Sequence, residues 1–569
     1  MSTAARSSEA EVLVAGAGPV GLTLACELRR HGVRCRIIDP NAGPTDQSRA
    51  LALQARTLEV FRDMGVIDGA LARGKPVHGL SGYADGRRVV HISLDLDDLD
   101  TRFPFVLVLP QSQAERLLID HLAGFGGAVE RGTKLVALDQ DEAGVTATLA
   151  DASGREQAVR VGWLVGCDGA HSVVRHQLGL PFEGAKYPET FFLADVRLDW
   201  DRPDDEAQMF LIPGGALGTF PFPEPGRWRV VDTSETVTTD EPGAALEQVQ
   251  AILDAHGPKG AVIRDPTWVA LFQFHRRIVP EFRRGRCFVA GDAAHIHSPA
   301  GGQGLNTGVQ DAHNLAWKLA LVLKGSAGVS LLDSYTAERQ PVAEGVLRGT
   351  DLATRVVTLR NPIAEHLRNH LVTFLMEFGL VQRRLSRGIS ELGVNYRTSP
   401  IATEDRSPLV QALRPGHRGG DWPGLADYLD FGAAPHPGDR APDVLFETPG
   451  DLGPRRLFDV LRDTRHALLL FEGAARSDEG DRHFERIGGL VRGRYADRIA
   501  AHVVAHLGRR PEGLRWDGPL LLDGDGSLHH RFGARAECLY LIRPDGYVGY
   551  RAQPADPAKL QAYLERLFV

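Results

Sequence analysis

The sequence predicts an α/β protein in which a parallel sheet wrapped by helices is interrupted by an inserted antiparallel sheet and followed by a separate α/β domain. Three observations carry the prediction. Residues 12–39 read as strand, glycine loop, helix and strand in immediate succession. From 181 to 283 the pattern changes to strands broken by Pro and Gly, after which helical spacing returns. A polar, Pro- and Gly-rich stretch at 396–435 then sets off the last third. At 569 residues the chain is also too long for one hydrophobic core. The expected divisions are 1–180 and 284–395 for the parallel-sheet domain, 181–283 for the insertion, 396–435 for a linker and 436–569 for the final domain.

Composition narrows the functional classes. A formal charge of -8 with 24% charged residues, and no Lys/Arg-rich block, gives no reason to expect nucleic acid or an anionic membrane as partner. The five cysteines are scattered without CxxC or His/Cys ligand spacing, which suits free thiols in a reducing compartment and argues against a metal. MSTAARSSEA lacks the apolar region of a signal peptide, and no window reaches the roughly 18 apolar residues of a membrane span. The expectation is a soluble, cytoplasmic protein.

Within the first unit, the apolar run 12–15 leads straight into GAGPVG, and helical spacing follows to His31-Gly32. Gly16 allows the tight turn, Gly18 lets backbone approach a pyrophosphate, and Gly21 lets helix and strand pack closely, with Pro19 opening the helix. The helix amino terminus offers free N–H groups to phosphates. A second strand, 33–38, delivers Asp39, whose carboxylate suits ribose hydroxyls. This Rossmann-like pattern does not by itself separate FAD from NAD.

Two later motifs do. VGWLVGCDGAHSVVRHQLGL places Asp168 and Gly169 after a buried strand, with a helix beginning at 172–178. GRCFVAGDAAHIHSPAGGQGLNTGVQDAHNLAWKLALVL places Asp292 after another, then a Pro/Gly loop running into a long helix. In that helix Leu305, Val309, Ala312, Leu315, Ala316, Leu319 and Val322 form one face, and Asp311, Asn314 and Lys318 the other, so it reads as amphipathic.

In this order and spacing, the three motifs resemble those of the class A flavoprotein monooxygenases of the para-hydroxybenzoate hydroxylase type, over residues 10–395. The resemblance implies a Rossmann-like FAD-binding domain in which Asp292 binds the ribityl side of FAD and Asp168 with Gly169 supports binding of FAD and NAD(P)H. It further implies that Gln111 lies near the flavin and that Arg49 sits on a loop beside the isoalloxazine, with an electrostatic role there. Pro299 is implied to lie over the flavin face near substrate. Gly302 and Gly304 leave room for a flat ring, and the helix opening at Leu305 and Asn306 turns its positive end toward the ring. His295 and His297 read as braces of this loop. The insertion is implied to cover the flavin and carry the substrate pocket, with Phe210, Phe220, Phe222 and Phe272 as candidate lining residues; for each, ordinary sheet core is the competing reading.

The final domain reads as a buried strand in HALLLFEG and a hairpin in ECLYLIRPDGYVGYRAQP turning at Asp545-Gly546. It resembles the thioredoxin-like carboxyl-terminal domain of the larger phenol and polyketide hydroxylases. Cys538 is the only cysteine beyond Cys287, so no CxxC dithiol exists and a structural or homodimer-contact role is expected. The activity implied is hydroxylation of a phenolic or polyketide aromatic compound through a flavin C4a-hydroperoxide, using dioxygen and NADPH or NADH; the resemblance implies that the nicotinamide binds transiently over the flavin, in keeping with the absence of a second GxGxxG. Baeyer-Villiger or epoxidising oxygenation on the same scaffold stays open, as does a non-catalytic FAD- and ligand-binding role.

Overall fold

The computed structural model describes residues 10–45, 50–84, 86–93, 99–298, 302–357, 386–406, 430–448, 453–473, 478–506, 508–509 and 513–569. The chain divides into two compact units. Met1–Leu99, Phe103–Ala316 and Arg339–Gly393 form the first; Asp100–Arg102, Trp317–Glu338 and Val394–Val569 form the second.

The first unit is organised by a six-stranded sheet. Val12–Ala15 lies between Trp163–Gly166 and Cys35–Asp39, with Cys287–Val289 and Val129–Arg131 further out, all parallel, and Arg283–Arg284 antiparallel at one edge. Val12, Leu13 and Val14 are fully buried, as expected of a parallel strand covered on both faces. Chain order runs away from Val12–Ala15 in opposite directions on its two sides, so a crevice opens at its carboxyl end.

An eight-stranded sheet is built mainly from the insertion: Val262–Ile278, Glu183–Asp199, Arg227–Asp232, Gly215–Pro221 and Glu206–Ile212 in spatial order. It also recruits Gly79–Ala84 and Arg87–Ser93 from earlier in the chain, and His295–Ile296 from the third motif at its other edge. The helix Pro242–His256 covers one face, where Val249, Ile252 and Leu253 pack with Phe192, Val196, Phe210, Leu217, Trp228 and Val230.

The second unit has a six-stranded mixed sheet. His466–Phe471, Ile499–His506 and Leu520–Asp523 are parallel, and Cys538–Ile542 and Val548–Gln553 form the hairpin expected around Asp545-Gly546. Helices Asp478–Leu490 and Pro557–Leu567 bury Phe484, Ile487, Leu560 and Leu564 on one face, in the thioredoxin-like manner. Cys538 is buried and free.

Three local expectations change. Thr403–Arg406, within the stretch read as linker, is a strand parallel to Val548–Gln553, where Asp405 accepts a hydrogen bond from Tyr550; most of the rest, 407–429, lies outside the described residues. Pro341, where the sequence reads as the start of a helical stretch, lies inside a helix that begins at Asp333. Ion pairs of Glu338 and Arg339 fix the turn before the proline, outweighing its missing N–H. The long helix Gly304–Leu323 is not amphipathic in exposure: Asp311, Asn314 and Lys318 are all buried.

Lys318 shows how the second unit tolerates this. Its ammonium pairs with Glu338 at 2.7 Å, and Glu338 also receives Arg543 at 2.7 Å and the Ser399 hydroxyl at 2.6 Å. Arg543 bonds Asp545 at 2.9 Å, and the Trp317 indole donates to Asp545 at 3.1 Å. Burial lowers Lys318 to about 8, with Glu338 opposing. Replacing Arg543 with Met leaves Lys318 as the one cation of this network for two buried carboxylates, Glu338 and Asp545. The expected cost is about 3–5 kcal/mol, read as a lower unfolding midpoint in urea.

Candidate active site

The crevice at the end of Val12–Ala15 is shaped by backbone. Gly16 has φ +102, and a Cβ there would lie 2.3 Å from the Cys167 carbonyl oxygen; one on Gly21 would lie 2.0 Å from the Gly16 oxygen. Only glycine permits either approach. Gly18 differs: a Cβ there meets nothing within 4 Å. Pro19–Arg30 starts immediately after it with no side-chain cap and no acid in its first turn, which leaves its amino-terminal N–H groups to an anion. Asp39 holds the loop from below, accepting from the Ala17 N–H at 2.8 Å and the Asn41 N–H at 2.9 Å, with Arg131 at 3.4 Å.

The second and third motifs close on the same place. Asp168 accepts from the N–H groups of Val173 at 2.7 Å and Val174 at 3.2 Å through one oxygen, while its other oxygen is buried without a protein partner. Burial raises its pKa, opposed by these hydrogen bonds. Gly169 follows in the left-handed region. Asp292 stands exposed on the turn Gly291–Ala293, between buried Gly291 and Ala293. A Cβ on Gly308 would meet Val20 at 2.6 Å and the Gly291 Cα at 3.2 Å, so the long helix rests directly on the first motif.

Asp311, one turn further, was not expected as a functional residue, yet it anchors this corner. It accepts the Gly291 N–H at 3.1 Å, pairs with His295 Nε2 at 2.7 Å and receives Arg339 Nε at 2.6 Å. Arg339 also donates to the Thr307 carbonyl at 3.0 Å. Burial pushes the Asp311 pKa up, but Arg339 and His295 overcome it and hold the carboxyl below its usual range. His295 therefore braces the loop. His297 bonds the Ser298 carbonyl through Nδ1 at 2.9 Å and backs onto Gly304; burial brings it down to about 4, so its ring is neutral at pH 7.

Gln111 opens the helix Gln111–Gly124, accepts from the Ala50 N–H at 3.3 Å and donates to Glu115 at 3.0 Å. It thus pins the residue next to Arg49; Arg49 itself and Pro299 lie outside the described residues. Asn306 is a clasp: its amide accepts from the Gln54 N–H at 2.9 Å and donates to the carbonyls of Ala52 at 2.8 Å and Gly302 at 2.7 Å. Gly302 packs on Ala52, at 3.1 Å from a Cβ there, and Leu305 is half-buried at the start of the helix.

The four phenylalanines separate. Phe210 stacks on Tyr83 at 5.4 Å in the core beneath Pro242–His256. Phe220 and Phe222 lie on the other face of the sheet, packed against Leu51, Val77, Val108 and Ala207. Phe272 shares that face, 5.7 Å from Trp268 and 6.2 Å from Phe274. Leu51 adjoins Ala52, so this second face continues into the strand clasped by Asn306.

An open cradle at a helix amino terminus, an exposed carboxylate at a strand end and an unmet Asp168 oxygen fit a dinucleotide of the FAD type. The comparisons agree. Residues 9–350 match the "FAD binding domain" family and 434–569 the "aromatic-ring hydroxylase, C-terminal" family. The chain belongs to the first of these families, and it is a flavin-dependent monooxygenase of the aromatic hydroxylase type. It is 38% identical to 6-methylpretetramide 4-monooxygenase of Streptomyces rimosus over 98% of this chain and 93% of that protein. It is similar in structure to the OxyS anhydrotetracycline hydroxylase of Streptomyces rimosus, with TM-score 0.70, 32% identity, and coverage of 98% of this chain and 99% of that one. Aklavinone-11 hydroxylase, solved with FAD and aklavinone, gives TM-score 0.71 at 27% identity, with 99% of each chain covered.

Two predictions follow from this geometry. Gly18→Ala leaves the apoprotein's melting temperature unchanged but weakens FAD roughly tenfold or more in a titration, because the methyl enters the open cradle; Gly21→Ala, which collides with backbone, does not fold. Glu391 supplies the second. It is fully buried beside Gln310, which donates to it, and burial raises its pKa from 4.5 to about 8, with Arg339 and Gln310 opposing. A raised acid stabilises the fold fully below 4.5 and loses that contribution as pH rises to about 8. Glu391→Gln removes the loss, so its melting temperature matches wild type at pH 4.5 and exceeds it by several degrees at pH 8, by differential scanning fluorimetry.

Proposed function

We propose that the protein hydroxylates a multi-ring phenolic compound of the polyketide kind, with NADPH or NADH as reductant and dioxygen as oxygen source. FAD bound in the cradle supplies hydride acceptance and dioxygen activation. The chain's own residues do the rest. The Gly18 backbone and the first turn of Pro19–Arg30 hold the pyrophosphate, and Asp292 holds hydroxyls of the ribityl chain. The amino end of the Gly304–Leu323 helix favours negative charge on the ring by about 0.3–1 kcal/mol, more where buried. Leu51, Val77, Val108, Phe220 and Phe222 keep water from the reacting oxygen.

One observation carries the substrate class: the extent of the aromatic floor. Phe220, Trp268 and Phe272 stand on one sheet face across the strands Gly215–Pro221, Arg227–Asp232, Glu183–Asp199 and Val262–Ile278. Three strand spacings span about 14 Å, which suits fused rings better than a single phenol. The relatives named for 6-methylpretetramide, anhydrotetracycline and aklavinone support this reading.

The test is NADPH and NADH oxidation by the FAD-loaded protein with hydrogen peroxide quantified, across single-ring phenols and polycyclic phenolic ketones. A polycyclic compound is expected to accelerate oxidation roughly tenfold or more with little peroxide released, as for a substrate held within reach. Failure of both nicotinamides to reduce the bound flavin overturns the proposal, and acceleration by single-ring phenols alone overturns its substrate class.

A further inference from the structure

The aromatic floor contains a charge pair. Arg229 lies opposite Phe220 in one register and opposite Asp195 in the other, and Asp195 lies opposite Trp268. Arg229 Nε bonds Asp195 Oδ1 at 2.7 Å and Nη2 bonds Oδ2 at 2.8 Å, a fork-to-fork pair with both residues buried. The guanidinium also sits 5.0 Å from the Trp268 ring and 5.6 Å from the Phe222 ring. A pair of this kind is held at a desolvation cost that an apolar pair of similar volume avoids. Its position is equally specific: the other face of these strands is closed by the helix Pro242–His256, whereas this face carries Phe220 and Phe222 next to Leu51.

Resting on the reading of this face as the substrate floor, we propose that Arg229, oriented by Asp195, determines specificity by selecting substrates with a free acidic oxygen, a phenol or an enolised diketone, over their O-alkylated counterparts. The chemistry follows from the geometry. The guanidinium carries five N–H donors and no acceptor, so it favours an oxygen that carries negative charge or shares a proton. Asp195 neutralises the pair, which keeps it from attracting anions indiscriminately, and fixes the guanidinium plane against Trp268 and Phe222, along which a flat ring system lies. Asp195 is thus a positioning residue, and Arg229 the residue that meets the substrate. An alkyl ether offers no acidic oxygen and adds a methyl against a buried charge.

The test uses the FAD-loaded protein and two probes, 1-hydroxyanthraquinone and 1-methoxyanthraquinone, with dissociation constants from the change each causes in the flavin absorbance spectrum. Wild type is expected to bind the phenol roughly tenfold or more tightly than the ether. Arg229→Gln loses the preference by weakening the phenol while the ether is little changed, and Arg229→Lys restores part of it. Asp195→Asn, which keeps the shape but unfixes the guanidinium, narrows the preference while retaining FAD. Equal weakening of both probes in Arg229→Gln assigns the pair to the wall alone and overturns the proposal, as does a wild type that binds both probes equally. A wild type that binds neither removes the substrate-floor reading and this proposal with it.

Discussion

The structure of the first unit depends on how closely four backbone segments approach around Val20. Gly16 lies against the Cys167 carbonyl, Gly21 against the Gly16 carbonyl, and Gly291 and Gly308 both against the Val20 side chain. These contacts join the glycine loop, the DG turn, the GD turn and the long helix within a few ångströms, although they come from the beginning, middle and later part of the unit. A single added methyl at Gly21 meets backbone that has nowhere to move. Gly18, in the same loop, is under no such constraint from the protein, and the proposed cofactor cradle rests on that contrast.

Charge then fixes what backbone brings together. Asp311 links the GD turn through the Gly291 N–H, the loop through His295, and the following helix through Arg339. Each partner satisfies a group that would be costly to bury alone. The second unit uses the same device independently, with Lys318, Glu338, Arg543 and Asp545 compensating one another out of water. Both networks are buried. Their task is to hold helix positions to which a cradle of glycines, offering no side chains, contributes nothing.

Much of this was legible in the sequence where the constraint is local. The three motifs announce strand, turn and helix in fixed order, and the hairpin at Asp545-Gly546 follows from its turn residues. What was not legible depends on partners distant in sequence. Asp311, Asn314 and Lys318 read as a solvent face because spacing shows which residues share a side but not that Arg339 or Glu338 waits there. Phe210 and Phe220 look alike in sequence; only the helix Pro242–His256, covering one face, separates a core residue from a floor residue. Asn306, expected near the flavin, spends its amide on Ala52, Gly302 and Gln54, a role no spacing rule reveals. Arg229 and Asp195 gave no signal at all, being paired only through strand register.

The most direct test of the central claim, that this chain transfers an oxygen atom from dioxygen to an aromatic substrate, is isotopic. Turnover of an accepted polycyclic phenol under ¹⁸O₂ in ordinary water, with NADPH and the FAD-loaded protein, is followed by mass spectrometry and NMR of the product. The account predicts one ¹⁸O atom, borne as a new hydroxyl on a ring carbon. A product whose new oxygen comes from water, or consumption of NADPH that yields only labelled hydrogen peroxide for every substrate tried, contradicts it.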